Sequence, residues 1–416
     1  MPVHVGTGVP NQVTRPAPKP IQVPGETARR FLAARHLLAP ARSVRGGPEA
    51  VMEVVRRLGS VQFDPLAVAG RNHDLVLHAR VADYDTRWTE SLLYEKRSLF
   101  EAYNKGLSLL PADELPWYRV AWTQARHSTG ILAENAELAD RVVERIRADG
   151  PLTARDFESG RTTNWFGTPM SVSTAVLDGL TATGVLGLAK RDGNRRAFDL
   201  VERLYPPALL AREVPREEQM RHKFLSRYRG HGLLGVASPA MLGLGDAGER
   251  TAMRERLIAS GELVRVQIEG VRRARHVFGE EVDLLQDPPD PVPSVAFIAP
   301  LDPLAWDPKF LLELYGFNWV WEVYLPPARR RWGYYVLPVH YRDRMVGRIE
   351  PRIDRPNGRV NILGLMWEED FDPAAEEGFV DAMRDALHAY IRFAGASELS
   401  WPPHLDREKS LFDVRT

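Results

Sequence analysis

The sequence predicts an α+β protein in which tandem modules of three helices and a β-hairpin precede a β-rich C-terminal portion. Three observations carry this. Residues 134–205 read as helix, short helix, helix and hairpin. Residues 215–283 run through the same order again. After the Pro-rich stretch QDPPDPVPS at 286–294, the pattern turns to aromatic runs that alternate like strands.

Taken in order, residues 1–25 (MPVHVGTGVPNQVTRPAPKPIQVPG) are rich in Pro and lack the apolar stretch of a signal peptide, so a disordered tail is expected. ETARRFLAARHLL then places Ala28, Phe31, Leu32 and Arg35 at helical spacing. PEAVMEVVRRLG is a second amphipathic helix with Pro48 in its first turn. SVQFDPL follows as an extended segment, because Pro65 disfavours helix at Asp64. HDLVLHARV, WTESLLYEKRSLFEAY and DELPWYRVAWTQAR are expected as helices. Together these make a first module over 26–130, which carries the Gln62–Asp64 segment.

The second module is expected over 131–210. ENAELADRVVERIRADG is a helix ended by Gly150, PLTARDF a short helix, and SVSTAVLDGLTATGVL a helix capped by Ser171 or Ser173. GLAKRDGNRRAFDL is a hairpin turning at Asp192-Gly193. The third module, 211–285, repeats this with EEQMRHKFLSRYRGHGLL, a short SPAMLGLG, GERTAMRERLIASGEL and a hairpin turning at Glu269-Gly270. Helix, helix, helix, hairpin is the winged-helix order, and the hairpin is its wing. Over 295–416, FNWVWEVYLP alternates like a strand. A meander follows with turns at Arg342-Asp343 and Asn357-Gly358, and AAEEGFVDAMRDALHAYIRFAG forms a terminal helix on the sheet.

Composition bounds the chemistry. With 416 residues the chain exceeds one compact core. Lys plus Arg number 55 against 55 Asp plus Glu, so a basic surface has to be local. The absence of Cys excludes disulfides, zinc ribbons, iron–sulfur clusters and thiol catalysis. No apolar run reaches the roughly 18 residues of a membrane span, and cytoplasm is the default location. The histidines show no metal-binding spacing, and there is no Walker loop or nucleotide-binding glycine fingerprint. No metal and no cofactor are expected.

Local basic surface lies on the two hairpins: Lys190, Arg191, Arg195 and Arg196 on one, and Arg265, Arg272, Arg273 and Arg275 on the other. One such hairpin fits a solvated sheet edge as well as a DNA contact. Two in tandem, each behind a helix of recognition type, favour DNA phosphates. Gln62 and Asp64 sit two apart on an extended segment, on one face, with Phe63 on the other. An amide and a carboxylate so placed hold one water between them, yet Asp before Pro also starts turns, and spacing alone favours the turn. Asp302 and Asp307 flank Trp306, an arrangement that suits a base pocket or a plain loop.

Three stretches together resemble one family: RLGSVQFDPLAVAGRNHDLVLHARV, SLLYEKRSLFEAYNKGLSLLP and APLDPLAWDPKFLLELYGFNWVWEVYLPPARRRWGYYVLPVHYRDRMVGRIEPRIDR. It is the winged-helix DNA glycosylase family of YcaQ and AlkZ, and the resemblance covers roughly residues 26–400. It implies three tandem winged helices and a β-rich portion in a C shape around DNA. It implies a monofunctional glycosylase that hydrolyses the N-glycosidic bond of N7-alkylated, cationic purines, with bulky adducts and interstrand crosslinks as further substrates. Gln62 and Asp64 match the Q-x-D form of the family's catalytic motif. DNA contacts are then expected from Arg71, Asn72, Lys105, Arg191, Arg195 and Arg196, and from Arg272, Arg273, Arg344 and Arg348. Tyr103, Asn104, Asp302 and Trp306 are expected around the lesion. A hairpin near Tyr341–Arg348 is expected to probe the minor groove. Many members carry His where this chain aligns Lys105. The partner is double-stranded DNA containing alkylated guanine or adenine, bound by a monomer associated with the nucleoid and with no membrane. The alternative from another class is a non-catalytic winged-helix regulator, which needs the wings but no polar pair.

Overall fold

Helices and strands mix along the whole chain, as an α+β protein requires. The computed structural model describes residues 19–126, 130–157, 160–163, 167–235 and 237–414. Of the expected tail, residues 1–18 lie outside the described residues. Strand β1 (Ile21–Val23) corrects the rest of that expectation, since it runs parallel to residues 266–268 and buries Val23 beside Phe31. Helix α1 (Gly25–Arg35) follows. In α2 (Pro48–Leu58), Ala50, Val51, Val54, Val55 and Leu58 fall on one buried face, and Gly59 ends the helix at φ 68°. A two-residue strand, β2 (Val61–Gln62), leads to α3 (Asn72–His78), which is buried throughout, and to α4 (Thr86–Tyr94), capped by the Asp85 carboxylate.

The helix expected to run through SLLYEKRSLFEAY stops at Tyr94. Its second half is strand β3 (Leu99–Tyr103), hairpinned with β4 (Leu107–Pro111), and the sheet order is β2-β4-β3. The reason is two-sided burial: Leu99 packs into one core cluster and Phe100 into another, which only an extended backbone allows. Arg97, at φ 54°, makes the break. DELPWYRVAWTQAR also divides, into α5 (Leu115–Tyr118) and α6 (Val120–Arg126).

The next region holds α7 (Gly130–Glu134), α8 (Ala136–Asp149), β5 (Leu152–Thr153), β6 (Arg161–Thr163), β7 (Pro169–Ser171), α9 (Val172–Ala182), β8 (Leu186–Asp192), β9 (Arg195–Leu200), α10 (Val201–Leu204) and α11 (Pro207–Ala211). PLTARDF forms a 3-10 turn, Ala154–Asp156, closed by a Thr153–Asp156 capping box. Ser171 caps α9. The β8–β9 turn falls one residue later than expected, at Gly193-Asn194, because Asp192 still pairs with Arg195. α12 (Arg216–His231), α13 (Ala247–Ala259), β10 (Leu263–Ile268), β11 (Arg275–Phe278) and α14 (Val282–Gln286) come next, with β1, β10 and β11 in one sheet.

The C-terminal sheet has the order β12-β13-β14-β15-β16, formed by β12 (Val295–Phe297), β13 (Leu337–Tyr341), β14 (Arg344–Asp354), β15 (Arg359–Trp367) and a parallel β16 (Glu398–Ser400). α15 (Pro308–Tyr315) precedes β13. α16 (Phe379–Ala394) lays Phe379, Met383, Leu387 and Tyr390 on the sheet, and α17 (Asp406–Phe412) closes it. FNWVWEVYLP is not a strand. Phe317 and Trp319 are buried, but the backbone is irregular and makes only a 3-10 turn, Glu322–Tyr324. The Glu322 carboxylate accepts from the backbone N–H groups of Arg331, Trp332 and Gly333, which folds the segment into a loop where a ladder was expected. Pro351 is tolerated within β14 because the register shifts beside it.

One large cluster joins the first helices to the C-terminal sheet: Val54, Leu58 and Leu109 share it with Val339, Ile349 and Leu387. The residues of α8, α9, β8 and β9 own a separate cluster. Gln62 is held at the edge of the joint core.

Candidate active site

Gln62 ends β2, paired with Ser108 of β4. Its backbone is fixed from two sides: the Asn72 side-chain amide donates to the Gln62 carbonyl at 2.7 Å, and the Asn72 oxygen accepts from Leu301 N–H at 2.9 Å. The side-chain amide is confined as well. A Cβ added at Gly106 would lie 2.6 Å from Gln62 Nε2, so any larger residue there would displace the amide from this position. Gln62 Oε1 is buried and has no hydrogen-bond partner among the described residues. An unpartnered buried acceptor is costly, and a bound water or substrate donor relieves that cost.

Phe63 points the other way, into the core. It stacks on His73 with ring centroids 4.9 Å apart, and the Arg191 guanidinium lies 4.5 Å from its centroid. Asp64 is half-buried. One of its oxygens accepts from Leu66 N–H at 2.9 Å, the turn that Asp-Pro favours. The second makes no hydrogen bond among the described residues. Burial pushes the Asp64 pKa up, and the Leu66 hydrogen bond pulls it down. Tyr335 is fully buried, and its hydroxyl has no partner among the described residues; burial first and the nearby Asp64 charge second raise its pKa.

The β3–β4 turn, Asn104-Lys105-Gly106, brings cations to this corner. The Lys105 ammonium lies 5.4 Å from the centroid of a Trp306 ring. Burial, then Arg227, bring the Lys105 amine down to about 8. Arg227, buried in α12, donates to the Asn104 carbonyl at 2.7 Å. One turn earlier on α12, Lys223 lies 5.3 Å from the Tyr118 ring centroid and is brought to about 8 by the same two causes. Lys223 and Arg227 were missed at the level of sequence, where the one signal was their spacing of four on a helix.

Several expected contacts are corrected by burial. Asn72 is 0% exposed and acts on the Gln62 backbone; it has no DNA-facing surface. Arg191 forms two hydrogen bonds to Glu101, at 2.9 and 2.6 Å, under Phe63. Arg348 is buried between Phe317 and Trp332 and pairs with Glu368. Asp302, fully buried, binds Arg80 at 2.8 and 3.0 Å and caps the following turn, so it lines no pocket. Asn104 is buried, tied to Ser60 and Ser226. Trp306 is buried, with Lys105 over one of its rings. The tip of the Tyr341–Arg348 hairpin is tied down, with Asp343 bound to Arg29 and the Tyr341 hydroxyl to the Glu377 carbonyl, so it is not free to enter a groove. Arg71 pairs with Asp74 and Glu90, Arg195 with Asp192, Arg196 with Asp178, and Arg344 with Asp370 and Glu376. Arg272 and Arg273 are exposed with no carboxylate partner among the described residues. Tyr103 is 72% exposed at the end of β3 and borders a cleft of about 550 Å³ lined by Phe100, Tyr118, Trp122 and Arg191.

Comparison with known proteins adds two findings. The model of the family described as DNA glycosylase AlkZ-like matches residues 55–393. Among solved structures, Streptomyces sahachiroi DNA glycosylase AlkZ is similar at a TM-score of 0.59 and 18% identity, over 92% of this chain and 100% of that chain.

Proposed function

We propose that this chain, which belongs to the AlkZ-like DNA glycosylase family, hydrolyses the N-glycosidic bond of N7-alkylated purines with Gln62 and Asp64 as its catalytic pair. The enzyme class, a DNA glycosylase, follows from the family. The substrate and the roles are our reading. N7 alkylation makes the base a cation and a good leaving group. As the C1′–N9 bond breaks, its electron pair neutralises the departing base and the sugar gains positive charge. The Asp64 carboxylate stabilises that charge and takes the proton of the attacking water, while Gln62 orients the water. What supports this is a single observation: the buried, unpartnered Gln62 Oε1 two residues from a carboxylate oxygen that also lacks a partner.

In the same reading the regions 26–130, 131–210 and 211–285 are tandem winged-helix modules, and with 295–416 they form a C-shaped monomer around the duplex. The cleft bordered by Tyr103 takes part of a bulky adduct. Asp64→Asn and Gln62→Ala are each expected to lower excision of 7-methylguanine by about 100-fold or more, with duplex binding nearly unchanged. Excision at the wild-type rate by both variants sinks the assignment. Binding indifferent to alkylation, with no abasic site formed by the wild type, points instead to a non-catalytic regulator.

A further inference from the structure

Three arginines are among the largest fully buried side chains: Arg35, Arg80 and Arg227. The first two are neutralised, Arg35 by Glu281 and Arg80 by Asp302. Arg227 is not. Among the described residues its Nε and Nη1 have no partner, and its Nη2 reaches only the Asn104 carbonyl. A buried guanidinium without a counter-anion is a large cost in a folded chain. Its charge acts on two half-buried amines, Lys105 and Lys223, neither with a carboxylate within ion-pair distance among the described residues. The groups packed around them are Trp306, Asn104 and Tyr118, with Arg229 further along α12. Glu114, whose charge acts on Tyr118, pairs with His222 at 3.0 Å. This corner therefore holds three positive charges, one of them buried, and none of the three has a carboxylate partner among the described residues.

We propose that Lys105 and Lys223, backed by the buried charge of Arg227, form a binding site for one backbone phosphodiester of the DNA strand beside Gln62. This rests on the DNA glycosylase reading above. The two lysines touch the phosphate. Arg227 is a positioning residue that holds the Asn104–Gly106 turn, whose Gly106 confines the Gln62 amide, and deepens the local potential. A phosphate there locks the strand in register with the catalytic pair. It also supplies the missing counter-charge, which raises the amine pKa values from about 8. Binding then takes up protons, so affinity is full below about 8 and falls as pH rises through that value.

The test is fluorescence anisotropy of the full chain on a duplex with a tetrahydrofuran abasic analogue, across a salt series and at pH values on both sides of 8. Expected for K105A/K223A is an affinity loss on the order of tenfold, a salt slope lower by about 0.9, and loss of the pH dependence. K105R/K223R is expected to keep the salt slope and lose the pH dependence, a split that a merely structural role does not produce. Wild-type affinity and slope in K105A/K223A overturn the proposal. So does borohydride trapping of either lysine on an abasic strand, since the amine is then a nucleophile and not a phosphate ligand. Binding to the analogue needs no chemistry. A wild type that binds with this signature yet fails to excise 7-methylguanine therefore sinks the catalytic reading alone.

Discussion

The hairpin β8–β9 and the hairpin β3–β4 both carry cations, and the two put them to opposite use. On β8–β9, Arg191, Arg195 and Arg196 are each taken by a carboxylate, from Glu101, Asp192 and Asp178. On β3–β4 a single Lys105 feels the Arg227 charge of α12, as Lys223 does, and none of the three has an acid partner among the described residues. Three of the four cations of the richer basic run are thus already neutralised, and Lys190 alone is exposed without an acid partner among the described residues. A count of cations along the chain says little about where an anion will bind; what decides is whether remote carboxylates have already claimed them.

The sharpest test of this contrast is stability. Arg191→Ala leaves Glu101 nearly buried and unpaired, and a loss of roughly 3 kcal/mol in urea unfolding is expected. Arg195→Ala, at an exposed pair, is expected to stay within about 0.5 kcal/mol. Equal effects in the two variants break the distinction. Next comes Gly106→Ala, which drives a methyl into the Gln62 amide and is expected to lower excision by roughly tenfold to a hundredfold with binding preserved. Retained excision means that the amide is not held in place. The smallest effect is expected from R272A/R273A on the β10–β11 turn, whose cations are free but exposed: a few-fold weaker duplex binding and a salt slope lower by about 0.9 for each phosphate no longer neutralised. A salt slope identical to that of the wild type removes this hairpin from the DNA surface.

Much of the framework was legible in the chain. The α2 periodicity, the Asn357-Gly358 turn and the repeat of helices before a hairpin all come from local chemistry, and the structure keeps them. The extended Gln62–Asp64 segment was legible from Pro65. The failures share one physical origin, which is that their causes lie far off in sequence. Leu99–Tyr103 is a strand because two separate cores meet it on opposite faces. Residues 317–324 form no ladder because Glu322 spends its carboxylate on the backbone of 331–333. Arg348 was read as a DNA contact, yet Glu368, twenty residues on, and the rings of Phe317 and Trp332 enclose it. The unpaired Arg227 was invisible for the same reason, since a missing carboxylate leaves no mark in a sequence.

The Asn72 carboxamide spans two distant parts of the chain, donating to the Gln62 carbonyl and accepting from the amide of Leu301. The Gln62 segment is therefore not fully braced when residues 26–130 have been synthesised. Until the ribosome has delivered Leu301, half of that brace is absent. The placement of the Gln62 carbonyl thus depends on chain laid down 229 residues after Asn72, and on the C-terminal sheet that shares its core.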